Sequence, residues 1–264
     1  MVKIIINELD LYYETHGSGE PLMLIAGLGS DSQSWLPIIT DLAKQHKLII
    51  PDNRGTGRTT PQNVPITISK ITDDCLALAN YLHLDSFNIM GHSMGGFVAL
   101  DFVVRYPQYI SKLILAGTST HLSARNKKLL LDFVYLLESG LEKEHWYRNL
   151  FYWMFTQKFF ADYNALQKTI EEAIEYPYAQ TKIALKNQVN ALINYDFKYD
   201  LTKIDAKTLI LYGEEDLLFP PKIYKKVLTK IPHSSFKLIK NAAHSIHMEN
   251  PHDFYQSVID FLNS

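Results

Sequence analysis

The chain has 264 residues, 47% of them hydrophobic and 20% charged, and a formal net charge of −2 at pH 7. This is ordinary globular composition, enough for one large α/β domain or a domain with an insertion. There is no basic block to neutralise phosphates and no uninterrupted apolar run of about 18 residues, which argues against nucleic-acid partners and a membrane span. The first apolar run, after Met1-Val2-Lys3, is too short for a secretory signal, so a soluble cytoplasmic protein is expected. The one cysteine, Cys75, has no internal disulfide partner and lies on an apolar-periodic stretch, where it reads as a small core hydrophobe.

Residues 2–7 and 11–15 are β-rich and predict an opening hairpin through Glu8-Leu9-Asp10. Pro21 to Ala26 is a short continuous apolar run ending in Gly27-Leu28-Gly29, as expected of a strand covered on both faces. Ser32 to Lys44 predicts a helix with Trp35, Ile38, Ile39 and Leu42 on its apolar side. Lys47 to Ile50 is another buried strand, followed by Asp52-Asn53-Arg54-Gly55-Thr56-Gly57. Ser69 to Leu82 predicts a helix with Ser69 as N-cap. Further strands are expected at Phe87–Met90, Lys112–Ala116, Thr208–Tyr212 and Phe236–Ile239, and a last helix at Pro251–Leu262. Strands alternating with helices imply an α/β fold, a mostly parallel, doubly covered sheet whose ligand side is the carboxyl edge of its strands. The alternation breaks between residues 121 and 201, which read as consecutive helices rich in aromatics. The expected organisation is a core of residues 1–120 and 202–264 with a helical cap of residues 121–201. Most cap aromatics should serve packing; Trp153 and Phe155, with Leu218 from the core, are candidate walls of an apolar pocket.

The densest chemistry lies in Gly91-His92-Ser93-Met94-Gly95, between a predicted strand and a predicted helix. A serine at the apex of such a turn is held in a strained conformation, so its neighbours must be small, and its hydroxyl stands clear of the sheet. A serine hydroxyl needs a general base, and that base needs a third group to set its tautomer. In this arrangement the chain order is serine, acid, histidine. Leu209 to Tyr212 runs into Gly213-Glu214-Glu215-Asp216; Asp216 is the candidate acid, with Glu214 and Glu215 read as solvated. Asn241-Ala242-Ala243-His244 follows the next strand, which makes His244 the candidate base among ten histidines. His92 is expected to point away from the serine's side. His244 and His247 have the spacing of a metal pair but no third ligand, so no metal is expected. Two backbone donors should converge on a developing oxyanion: Met94 N–H after the serine and Leu28 N–H in the first glycine loop.

These motifs, together with Glu249 and Pro251 after His244, resemble the α/β-hydrolase superfamily over essentially the whole chain. Within it the pattern is similar to cofactor-free carboxylesterases and lactonases of the 3-oxoadipate enol-lactonase type. The resemblance implies Ser93 as nucleophile, Asp216 as acid and His244 as base, no cofactor, and a small or medium ester or lactone as the substrate. Many such relatives have His-Gly where this chain has Ala26-Gly27, which removes a brace of the oxyanion loop. Thioester, amide or carbon–carbon hydrolysis, perhydrolysis, and a slow-turnover receptor role are the alternatives on the same site.

Overall fold

The computed structural model describes residues 2–264. One sheet of eight strands runs through it: β1 (Val2–Ile6), β2 (Leu9–His16), β3 (Glu20–Ile25), β4 (His46–Pro51), β5 (Phe87–His92), β6 (Ile110–Ala116), β7 (Lys207–Gly213) and β8 (Ser234–Ile239). Their spatial order is β1-β2-β4-β3-β5-β6-β7-β8. β2 is antiparallel to both β1 and β4; every other pairing is parallel.

The central strands are apolar without alternation because both of their faces are covered. In β3, Met23 and Ile25 face one layer while Leu22 and Leu24 face the other, all fully buried. The first layer comprises α2 (Ile68–Tyr81), α3 (Met94–Arg105) and α9 (Pro221–Leu228). The second comprises α1 (Leu36–Leu42) and α11 (Pro251–Leu262). Cys75 is buried in the first layer, and desolvation raises its thiol pKa, consistent with a packing role.

Between β6 and β7 the chain forms five helices: α4 (Ala124–Glu138), α5 (Lys143–Met154), α6 (Gln157–Ala161), α7 (Tyr163–Glu175) and α8 (Lys182–Ile193). They build their own apolar clusters, one around Phe133, Trp146 and Val189 and another around Phe151, Leu166 and Ile170. A short α10 (Ile246–Glu249) precedes α11. Among the described residues, no helix is long and apolar enough to cross a membrane.

Three local readings of the sequence need correction. The opening hairpin turns through Asn7 and Glu8, both left-handed at φ 45° and 67°, so Leu9 and Asp10 already belong to β2. The N-cap of α2 is Thr67, whose hydroxyl accepts Lys70 N–H at 3.0 Å; Ser69 lies inside the helix. The helix expected from Ser32 opens as a 3₁₀ turn over Ser32–Trp35 and becomes α1 only at Leu36. Pro37 follows in the first turn of α1, where a missing N–H costs no helical bond.

The loop after β4 is a scaffold rather than a plain turn. Arg54 reaches α2 and donates from Nε and Nη2 to Asp74 at 2.6 and 2.7 Å, with both residues almost fully buried. Removing one member of such a pair strands a buried charge, whereas replacing both with apolar side chains does not. Asp74→Leu is therefore expected to destabilise the protein by about 3–5 kcal/mol. The double variant Arg54→Met/Asp74→Leu should recover most of the lost melting temperature. Thermal unfolding of the three proteins checks this.

Candidate active site

Ser93 joins β5 to α3 at φ 52°, ψ −117°, a left-handed φ that a residue with a side chain adopts only under constraint. The constraint comes from neighbouring backbone. Ser93 N–H donates to Ala116 O at 2.9 Å, and Ser93 O accepts from Gly96 N–H at 3.0 Å and Thr118 Oγ1 at 2.8 Å. A Cβ at Gly91 would lie 2.1 Å from Gly95 O, and one at Gly95 would lie 2.0 Å from Ile25 O. Only glycine fits at either position, and this is how the turn brings α3 against the end of β3.

The structure places Ser93, His244 and Asp216 in one hydrogen-bonded line. His244 Nε2 lies 2.9 Å from Ser93 Oγ, and His244 Nδ1 lies 2.9 Å from Asp216 Oδ2. An ionised carboxylate only accepts, so Nδ1 carries the proton and Nε2 is free to take the serine's. The other oxygen of Asp216, Oδ1, accepts Leu218 N–H and Phe219 N–H, each at 2.8 Å. Asp216 and His244 are buried, while Ser93 is half-buried and keeps access to the solvent side. Glu214 and Glu215 are exposed, as their position in the loop suggested.

Several contacts around His244 were not read from the sequence. Phe219 stacks on the His244 ring at 5.6 Å between centroids. Glu249 receives Ala243 N–H and Thr156 N–H, both at 2.7 Å, and so ties the loop bearing His244 to the segment after α5. Burial raises the Glu249 carboxyl above its usual range. His92, expected to point away from the serine, reaches the loop that bears His244. Its Nε2–H donates to His244 O at 2.8 Å, and the two rings are 4.9 Å apart. His247 packs behind it, 4.8 Å from His92 and 4.7 Å from Trp35. The contacts of His92 and His247 join residues more than 150 positions apart, so no local pattern reports them. Among the described residues, no group of three or more His, Cys, Asp or Glu is arranged to hold a metal.

The proposed oxyanion donors lie on either side of the serine. Met94 is the first residue of α3, where an N–H has no acceptor within the helix. Leu28 belongs to a turn held by Asn53 Nδ2 donating to Ala26 O at 3.1 Å and by Gly29 N–H donating to Gln188 Oε1 at 3.1 Å. A Cβ on Gly27 would lie 3.2 Å from Ser93 Cβ, which puts this turn directly beside the serine. Of the three candidate pocket residues, Leu218 sits on the Asp216 turn, where its carbonyl accepts Asn126 Nδ2 at 2.6 Å. Trp153 and Leu28 both pack on the Phe133–Trp146 cluster. Phe155 belongs to the other helical cluster, stacked on Phe159 at 4.3 Å.

The buried imidazoles give the site an acid-sensitive foundation. Burial, with repulsion from His244, lowers His247 to about 3; burial, with repulsion from His247 and His244, lowers His92 well below the ordinary histidine value. Below about pH 6.5 the unfolded chain binds protons that these native rings refuse, so stability falls as the pH drops from there toward 3. For His247 alone the loss at pH 5 is about 2 kcal/mol. His247→Phe, which keeps a ring against Trp35, should narrow the gap between the melting temperatures at about pH 7.5 and about pH 5 by several degrees. An unchanged gap would show that His247 is not the titrating group.

Comparison with known proteins agrees with this architecture. The chain is 30% identical over 261 residues to a Rhizobium rhizogenes protein provisionally named carbamate hydrolase RutD, with 96% of this chain and 98% of that one covered. Its fold superposes on the enol-lactonase from Burkholderia xenovorans LB400 with a TM-score of 0.89, at 20% identity and with 100% of both chains covered. It superposes on a thermophilic esterase from Thermogutta terrifontis with a TM-score of 0.86, at 23% identity and with 99% of this chain and 96% of that one covered. At those identities the two structures speak to the fold alone. Residues 20–251 match the family described as alpha/beta hydrolase fold, and the chain belongs to that family.

Proposed function

We propose that the protein is a serine hydrolase that cleaves a small or medium carboxylic ester or lactone through an acyl-enzyme. The observation that carries this reading is the line from Ser93 Oγ through His244 to Asp216, with 2.9 Å at each step. Ser93 Oγ attacks the substrate carbonyl as His244 Nε2 takes its proton. The carbonyl oxygen becomes an oxyanion held by Leu28 N–H and Met94 N–H. Collapse of the tetrahedral intermediate breaks the acyl–oxygen bond, and the imidazolium protonates the departing alkoxide. A water then gives its proton to the same histidine and attacks the acyl-enzyme, releasing the acid and restoring Ser93. Asp216 keeps the Nδ1–H tautomer in place and stabilises the imidazolium. The two backbone donors on its other oxygen hold the carboxylate in the matching orientation.

A second reading has support from the relative named as a carbamate hydrolase. A carbamate presents the same planar carbonyl to Ser93, and the same steps transfer a carbamoyl group in place of an acyl group. The machinery is common to both readings; what differs is the group the surrounding residues accept.

Hydrolysis of p-nitrophenyl esters of increasing chain length, alongside aryl carbamates, tests both readings. Ester turnover above carbamate turnover supports the first, and the reverse order supports the second. Ser93→Ala and His244→Ala should each lower kcat by about 10⁴-fold or more, and the double variant little further, because the residues act as a unit. Asp216→Asn should cost about 10³–10⁴-fold through the wrong histidine tautomer. Absence of turnover on every ester and carbamate by folded wild-type protein would contradict the proposal.

A further inference from the structure

Gln188 lies in α8, outside the line of proposed catalytic residues, and is fully buried. A buried amide must spend its hydrogen bonds within the protein. Gln188 spends both halves on the edge of the site: Oε1 accepts Gly29 N–H at 3.1 Å, and Nε2 donates to Arg54 O at 3.2 Å. Gly29 closes the turn that presents Leu28 N–H. This turn has little else to stiffen it. Gly27 and Gly29 flank Leu28, Gly29 is left-handed at φ 70°, and the internal Ser30 N–H to Gly27 O bond is long at 3.3 Å. Ala26 offers only a methyl, and its carbonyl is held by Asn53 at the opposite end. Leu28 itself packs against both the main core and the cluster shared by α4, α5 and α8.

We propose that Gln188 is the positioning residue of the oxyanion turn, so that α8 sets where the Leu28 donor points. The inference rests on the serine-hydrolase reading. Neighbouring contacts follow the same path: Gln180 Nε2 donates to Gly55 O at 2.8 Å, and Tyr176 Oη donates to Asp31 Oδ2 at 2.6 Å. The segment from the end of α7 through α8 thus grips the loops after β3 and β4 together. A substrate group that shifts α8 would thereby alter stabilisation of the tetrahedral intermediate as well as binding.

The test compares wild type with Gln188→Met, which keeps length but makes neither bond, and with Gln188→Glu, which keeps an oxygen for Gly29 N–H. Three quantities are measured: kcat and KM on a p-nitrophenyl ester, affinity for an alkylboronic acid that forms a tetrahedral adduct on the serine, and hydrogen exchange of the Gly29 amide. Gln188→Met should lower kcat by about 10–100-fold with KM within about threefold, because a misplaced oxyanion donor is felt in the transition state. Boronate affinity should fall in proportion, Gly29 exchange should accelerate, and Gln188→Glu should recover much of the loss. A kcat within about twofold of wild type, or a loss confined to KM, would overturn the proposal. If wild type turns over carbamates but no ester, the same constants are read on an aryl carbamate; if it turns over neither, the functional reading fails and amide exchange alone decides the role of Gln188: unchanged Gly29 exchange in Gln188→Met overturns it. If Gln188→Met does not fold, Gly29 exchange in wild type decides, and a rate equal to that of an unprotected loop amide overturns it.

Discussion

The left-handed backbone of Ser93 is the constraint around which the site is assembled. A residue with a side chain held at such a φ costs on the order of 1–3 kcal/mol and persists only where its surroundings leave it no alternative. Here the surroundings are the two parallel strands that flank β5 and the loop after one of them. β6 accepts the serine N–H, the loop after β6 holds its carbonyl, and the end of β3 approaches so closely that Gly95 has no room for a side chain. The same geometry that strains the turn sets the hydroxyl above the carboxyl edge and leaves the first N–H of α3 beside it. Sheet order and site chemistry are therefore one problem: β3, β5 and β6 must be neighbours for the turn to exist.

The partners of the serine are fixed by independent means. Asp216 is held by two backbone N–H groups of its own turn, a local device. His244 is held by His92 on its carbonyl and Phe219 on its ring, both from other parts of the chain, and by nearby Glu249 on the preceding amide. Glu249 also takes the Thr156 N–H, and Ser245 N–H donates to Met154 O at 3.0 Å, so the base loop is joined to the inserted helices. The first glycine turn is joined to them through Gln188. Both the base loop and the proposed oxyanion turn thus carry contacts from the segment between β6 and β7, which gives that segment a route to influence the proposed chemistry.

Much of this was readable in one dimension. Runs such as Leu22 to Ile25 announce strands buried on both faces, and glycine-rich turns after them mark the working edge. Ser93, Asp216 and His244 stood out because each follows a strand in an order that the chemistry constrains. Asp216 could be preferred to Glu214 and Glu215 by its place in the loop, and the structure buries it while exposing them. What escaped depends on contacts between distant residues or on small differences in local energy. Ser69 and Thr67 are comparable N-caps by residue type, and Ile68, buried in the core, already belongs to the helix. The orientation of His92 is decided by a carbonyl 152 positions away. Among so many aromatics in the inserted helices, composition alone does not assign Phe155 to one cluster and Trp153 to another.

The most direct test of the central claim, that Ser93 is made nucleophilic by His244 and Asp216, is labelling with a fluorophosphonate followed by peptide mass spectrometry. One phosphonylated site per chain is expected, on the peptide carrying Ser93, formed rapidly in wild type and slowed by orders of magnitude in His244→Ala. Labelling at another residue, or labelling of Ser93 at the same rate without His244, would contradict it.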